Sequence, residues 1–303
     1  MPIGKFVKKS EANFEIFEAN FKSMINDDAQ FLTLHSGSQW SEGPVFLHHR
    51  DMVIWSDIPN DRMLSWTPTS GSDIFRYPSG YSNGNFLDLQ ARLLTCEHGN
   101  RRISRTEKNG EIITIVDNFN GNRLNSPNDL VVKSDGAIWF TDPPYGILSD
   151  KEGYKSESEL EGNFVFRYDP LEDQLSLISD DFDKPNGIAF SPDEKLLYIA
   201  DSGDPKNIRV FNVSDDGKSI NNGRVFTEIS PGVPDGFRVD SEGNIFTSAS
   251  DGIQVFTPSG VLLGKILVPE RTANCAFGGS FKDTLFITAS TSLYSIKMNV
   301  TGA

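Results

Sequence analysis

Lys184-Pro185-Asn186-Gly187-Ile188-Ala189-Phe190-Ser191-Pro192-Asp193-Glu194-Lys195-Leu196-Leu197-Tyr198-Ile199-Ala200-Asp201 is the stretch from which the fold can be read. An Asn-Gly pair opens it and an apolar run follows. A Ser-Pro-Asp-Glu turn then reverses the chain, and a second apolar run ends in an acidic residue. Two short apolar runs joined by such turn chemistry make a β-hairpin. The unit recurs five more times, opening on Ser41-Glu42-Gly43-Pro44, Ser82-Asn83-Gly84-Asn85, Pro127-Asn128-Asp129-Leu130, Pro234-Asp235-Gly236-Phe237 and Ala273-Asn274-Cys275-Ala276. From Glu42 to Asn274 the openings lie 41, 45, 58, 49 and 39 residues apart. That spacing is the length of one four-stranded propeller blade. The second apolar runs fall at 53–57, 93–98, 138–142, 245–250 and 285–290, and outer strands such as 164–168 and 208–211 follow. The chain therefore reads as an all-β protein: a six-bladed β-propeller over residues 31–303, one domain, preceded by a short helical capping segment at 1–30.

Within that segment Phe14, Phe17, Phe21 and Met24 recur at three- and four-residue spacings, which predicts a helix over 10–24. A ring must hide its first and last strand edges. A strand around 30–34 is therefore expected to complete the last blade, whose own strands end near Met298. The 58-residue interval carries an insertion at 146–162, rich in Ser, Glu and Lys, directly beyond Asp142-Pro143-Pro144-Tyr145. It reads equally well as a lid or as a solvated loop.

Composition narrows the partners. With 42 acidic against 28 basic residues the formal charge is −14. This argues against a nucleic-acid partner or an anionic membrane surface. Two cysteines, Cys96 and Cys275, have neither metal-type nor disulfide-framework spacing. No apolar run follows the lysines of residues 1–11, so no signal peptide is visible, and no stretch approaches transmembrane length. The expectation is a cytoplasmic protein, and nothing chooses a monomer over a dimer.

In a propeller, residues leading into the innermost strands converge at one mouth of the central channel. Here they are Glu42, Asn83, Asn128, Asn186, Asp235 and Asn274: two carboxylates, four amides, no cation and no thiol. Oxygen donors of this kind suit one hard divalent cation, Ca²⁺ first, with Mg²⁺, Mn²⁺, Zn²⁺ or Fe²⁺ compatible. A single Asn-Gly only makes a good turn. Glu42 is different, because it is a poor turn former and costly near the axis without a counter-charge.

The segments Trp40-Ser41-Glu42-Gly43-Pro44, Asn125-Ser126-Pro127-Asn128-Asp129-Leu130, Trp139-Phe140-Thr141-Asp142-Pro143, Lys184 to Ser191 and Pro234-Asp235-Gly236 together resemble the SMP-30/gluconolactonase/LRE family. Cys96-Glu97-His98-Gly99-Asn100-Arg101-Arg102 resembles its bacterial sugar-lactonase branch. The resemblance implies one catalytic divalent metal near the axis, held by Glu42, Asn186 and Asp235. It implies that Asn128 touches substrate or metal and that Asp235 moves the proton. Some members carry an arginine for the sugar two residues before the Asn128 position, where this chain has Ser126. The implied activity is metal-dependent hydrolysis of a sugar lactone, such as glucono-1,5-lactone, to the aldonic acid. The enzymatic alternative is a phosphotriesterase or aryl-esterase at the same metal. The non-enzymatic one is a Ca²⁺-binding scaffold, which the carboxylate at the mouth and the lack of aromatic or basic residues in the turns disfavour.

A lactonase needs a base for the attacking water. Asp235 is the first candidate and His98 its rival, although a lone histidine is more often structural. Counting fifteen residues past each opening puts His98 level with Asp57 and Asp201. Asp142 and Tyr145 border the insertion and are read as substrate-binding through sugar hydroxyls; Asp142 reads equally as a turn-fixing residue. His48 and His49 fall in a hairpin and read as surface, and Arg101 and Arg102 as strand-end support or ion pairs. Gly80-Tyr81-Ser82-Asn83-Gly84 has the G-x-S-x-G spacing but leads into an apolar strand run rather than a helix, so it is not a nucleophile elbow, and no G-x-G-x-x-G follows a strand, against a serine hydrolase and against nucleotide use.

Overall fold

Each of the six repeats folds into an antiparallel sheet whose first strand lies at the axis and whose later strands step outward in chain order. The computed structural model describes residues 7–26 and 28–303. Residues 1–6 of the expected capping segment, and of the stretch inspected for a signal peptide, lie outside the described residues. The innermost strands are Ser41–Leu47, Ser82–Leu87, Leu130–Val132, Pro185–Phe190, Phe237–Val239 and Thr272–Gly278. Each touches the next, and the sixth touches the first. The ring closes as the sequence predicts: Gln30–Ser36 pairs with Ser292–Lys297 as the fourth strand of blade six. Apolar side chains fill the gaps between blades, with Trp139, Phe190 and Ile199 between blades three and four. Burial of these sheet faces against each other is what holds neighbouring blades together.

The predicted helix over 10–24 shrinks to Ala19–Met24. Upstream of it, Lys8–Glu11 pairs with Gln30–Ser36 and Asn13–Ile16 pairs with Leu262–Leu267. Two short segments thus become fifth strands on blades six and five. The reason lies in the sheet edges, where an outermost strand offers a row of unpaired backbone groups that an added strand satisfies. Phe21 and Met24 are buried against Leu263, Ile266 and Met298, while Phe17 stays exposed.

The insertion is a largely exposed loop, solvated from 154 to 159, that is anchored at several points. Tyr145–Leu148 makes one helical turn, and the rest is tied down. Ser158 Oγ donates to Asn125 Oδ1 (2.5 Å), Arg123 N donates to Glu159 Oε2 (2.9 Å), and Leu160 joins the core. Arg101 lies in this anchor, with Nε donating to the Leu124 carbonyl at 2.6 Å and Nη1 3.3 Å from Glu159, while Arg102 pairs with Glu97. His48 and His49 are exposed, and both cysteines are buried free thiols. No helix among the described residues is long and apolar enough to cross a membrane.

Candidate functional site at the axis

The six openings are not tight turns. Glu42, Asn83, Asn186 and Asn274 lie inside their innermost strands, at points where the ladder skips: between Glu42 and Val45, Ser82 and Asn85, Pro185 and Ile188, and Thr272 and Asn274. Such bulges re-aim side chains at a sheet end. The glycines that follow have a different purpose from the one the sequence suggests. Gly187 and Gly236 are not in the left-handed region. A Cβ on Gly187 would collide with the Asp235 carbonyl, and one on Gly236 with the Asn274 amide. Room for that approach lets Gly187 N donate to Asp235 O (3.1 Å) and Gly236 N to Ala273 O (2.7 Å). Adjacent openings are thereby joined around the axis.

The convergence produces a cavity of about 330 Å³ at one mouth of the channel. Glu42, Asn83, Asn128, Asn186, Asp235 and Tyr145 all line it. Asn274 stands back and donates from Nδ2 to Glu42 Oε2 at 3.2 Å, while Gly43 N donates to the same oxygen at 2.8 Å. Burial, and then the charge of Asp235, push the Glu42 carboxyl well above the usual range. Asp235 is pushed up to about 7 by burial, with Arg271 and the Asn186 side chain pulling the other way. Arg238 Nη1 of blade five reaches Asp129 Oδ2 of blade three at 3.2 Å, a partly buried ion pair between innermost strands.

Asp142 does not line the cavity. It is fully buried, and its Oδ2 accepts from Asn125 N at 2.7 Å. Asp57 and Asp201 do the same in their blades, accepting from Gln39 N (2.8 Å) and from Asp183 N (2.9 Å). In all three cases the held residue stands three positions ahead of the opening, so these aspartates fix the lead-in to Glu42, Asn128 and Asn186. Of the two readings of Asp142, the structure matches the turn-fixing one. Ser126 is likewise interior: its Oγ donates to Pro143 O (2.6 Å) and accepts from Gly146 N (2.9 Å), so it holds the root of the insertion.

His98 is on the cavity side but behind the wall, 1% exposed. Counting by fifteen misplaces it. In the ladders Ser41 faces Asp57 and Pro185 faces Asp201, whereas Ser82 faces Glu97. Glu97 therefore takes the strand-end place, and His98 stands one residue beyond, level with Ile58 and Ser202. Its pKa is lowered to about 4 by burial, against a hydrogen bond with the Glu152 backbone.

Sequence reasoning missed Trp40, Glu152, Lys184, Ser202 and Arg271, which also line the cavity. The mouth thus has the aromatic and basic groups that the turns themselves lack, and Arg271 lies over the Trp40 ring at 5.5 Å. A signal was available: Trp40 and Lys184 stand two residues before their openings and Arg271 three.

Among the described residues no group of three or more His, Cys, Asp or Glu side chains converges as a metal site. The donor set here is different in kind, two carboxylates with amide carbonyls. The two facing carboxylates, Glu42 and Asp235, raise each other's cost of ionisation, and a hard divalent cation between oxygen donors would relieve it. The residues present fit such an ion.

A polar, concave, oxygen-lined site at the axis of a six-bladed propeller is a pocket for a small molecule. The chain belongs to the SMP-30/gluconolactonase/LRE-like family, whose profile matches residues 40–291. It is 34% identical to the gluconolactonase of Zymomonas mobilis over 99% of this chain and 88% of that one. It is 27% identical to the 6-deoxy-6-sulfogluconolactonase of Pseudomonas putida, over 82% of each. The structure of a gluconolactonase from Xanthomonas campestris superposes with a TM-score of 0.92 at 36% identity, covering 97% of this chain and 98% of the other.

Proposed function

We propose that this protein is a metal-dependent lactonase that opens the ester of a sugar lactone of the gluconolactone type and releases the aldonic acid. The observation that carries the reading is the convergence of Glu42, Asn186 and Asp235 on one cavity wall, each from a different blade. Those three would hold one divalent ion, Ca²⁺ first by the hardness of its donors. Bound there, the ion supplies Lewis acidity toward the lactone carbonyl and stabilises negative charge developing on its oxygen. Asp235 takes the proton of the attacking water and returns it to the ring oxygen as the C–O bond breaks. Asp235 lines the cavity beside Asn186, where one carboxylate oxygen can bind the ion and the other can reach the water. Asn128, buried at the same wall, is available to a substrate oxygen, and Tyr145 offers a phenol hydroxyl to the sugar. His98 does not line the cavity, which favours Asp235 over it as the base.

The test is hydrolysis of glucono-1,5-lactone and of a phosphotriester, each before and after EDTA, with Ca²⁺, Mg²⁺, Mn²⁺, Zn²⁺ and Fe²⁺ restored singly. Lactone turnover should vanish on chelation and return with a metal. Turnover indifferent to EDTA would sink the metal mechanism. A phosphotriester preferred over the lactone would move the activity to the esterase alternative.

A further inference from the structure

We infer that Asn83 is a substrate-recognition residue, an acceptor for one hydroxyl of the lactone ring, and that His98 is the positioning residue that turns its amide to do so. This rests on the sugar-lactone reading above. Blade two departs from blades one and four at the residue after the strand-end acid. There Ile58 and Ser202 face the cavity, whereas His98 packs behind Asn83.

The orientation follows from what each atom can do. His98 Nδ1 is 3.1 Å from the backbone oxygen of Glu152, and Nε2 is 3.2 Å from Asn83 Nδ2. A carbonyl oxygen only accepts, so the proton is on Nδ1. The ring is neutral, which leaves Nε2 with a lone pair that the Asn83 amide nitrogen satisfies by donating. Asn83 Oδ1 is then turned away from His98, on the side of the cavity that Asn83 lines. A flipped amide would set Oδ1 against the Nε2 lone pair. The Asn83 backbone is pinned as well, its carbonyl accepting from Ser56 Oγ (2.7 Å) and Asn85 Nδ2 (3.0 Å). Nor can the imidazole move back, because Gly146 of the insertion lies so close to it that a Cβ there would press on the His98 side chain. Through the Glu152 carbonyl, the insertion thus decides which face of an amide the substrate meets.

An oriented acceptor distinguishes a lactone bearing a hydroxyl at that point from one lacking it, a discrimination worth about tenfold for one buried hydrogen bond. The experiment compares kcat/KM for glucono-1,5-lactone and δ-valerolactone in the wild type, His98→Leu, His98→Gln and Asn83→Leu. It also reads the His98 tautomer from ¹⁵N shifts. His98→Leu and Asn83→Leu should each lose about tenfold more toward gluconolactone than toward valerolactone, through KM. His98→Gln keeps an acceptor toward Asn83 and a donor toward Glu152, and should recover most of that selectivity. The spectrum should show a neutral ring protonated on Nδ1. Equal losses for the two lactones, an unchanged ratio, or a proton on Nε2 would each overturn the inference. A wild type that hydrolyses neither lactone would bring down the sugar-lactone reading, and this inference with it.

Discussion

Asp142→Asn should leave KM for the lactone unchanged and stabilise the protein above neutral pH. The carboxyl is fully buried and pushed up to about 7 by that burial, although backbone N–H groups of the Asn125–Ser126 segment pull it down. In the unfolded chain it returns to the ordinary value near ~4. The folded form therefore holds the proton more tightly than the unfolded one. The resulting stabilisation is complete below pH ~4 and is lost as the pH rises through about 7. Each pH unit in that window costs up to ~1.4 kcal/mol, so the interval amounts to roughly 4 kcal/mol by pH ~8. Asparagine has the shape of the protonated acid and never ionises. Its amide nitrogen would replace Oδ1, the oxygen that has no partner, and its carbonyl would still accept from Asn125 N. Urea unfolding followed by tryptophan fluorescence at pH 5, 6, 7 and 8 gives the difference between wild type and variant. It should favour the variant by about 1 kcal/mol at pH 5, grow to roughly 4 kcal/mol near pH ~7 and level off above it. A difference independent of pH would refute the linkage. A tenfold rise in KM would give Asp142 the sugar contact that its burial behind the wall denies it.

Two further outcomes test the openings. Glu42→Gln and Asp235→Asn should abolish nearly all lactone turnover, by about 10²–10⁴-fold where the base is lost. Because each removes one of two neighbouring carboxylates that burial makes costly to ionise, the metal-stripped variants should melt higher than the metal-stripped wild type, and a lower melting point would contradict the repulsion. Gly187→Ala should cost about 1–3 kcal/mol in urea unfolding, the range for forcing a methyl into a filled space, and should lower metal affinity by displacing Asp235. A variant as stable and as tightly metal-binding as wild type would mean that the two openings can separate without loss.

The propeller is legible in the sequence because its signals are local: period-two apolar runs, hairpin turns such as Ser191 to Glu194, and their recurrence at blade length. Ring closure by Gln30–Ser36 follows from the same logic, since an unpaired edge needs a partner. The helix over 10–24 fails for a reason the pattern cannot hold. The outer edge of blade five at 264–267, distant in sequence, takes residues 13–16, and the edge strand of blade six at 30–33 takes residues 8–11. Register fails in a similar way at His98. Blade two is one residue shorter between its opening and its strand end than blades one and four, and counting carries that error straight to the wrong residue. Lys184, Arg271 and Trp40 escaped because a residue just ahead of a strand looks like loop until the six lead-ins are seen to share one mouth.

The openings show why the site and the repeat occupy the same residues. At four of the six openings a glycine follows, and at Gly187 and Gly236 neighbouring backbones approach so closely that a side chain would not fit between them. In blades one and four a bulge at the opening also turns Glu42 and Asn186 off the ladder and toward the axis. Whatever stands before the glycine is thereby delivered to the cavity, whether or not it has chemistry to offer. Glu42 and Asp235 convert that delivery into a pair of carboxyl groups, Asn186 adds an amide beside them, and Asn274 is left to donate to Glu42 from behind. An Asn-Gly read as a turn is thus a statement about distance to the axis. The chemistry depends on which blades carry a carboxylate, amide or imidazole there, so substitutions at the openings should alter turnover and metal affinity far more than they alter the ring.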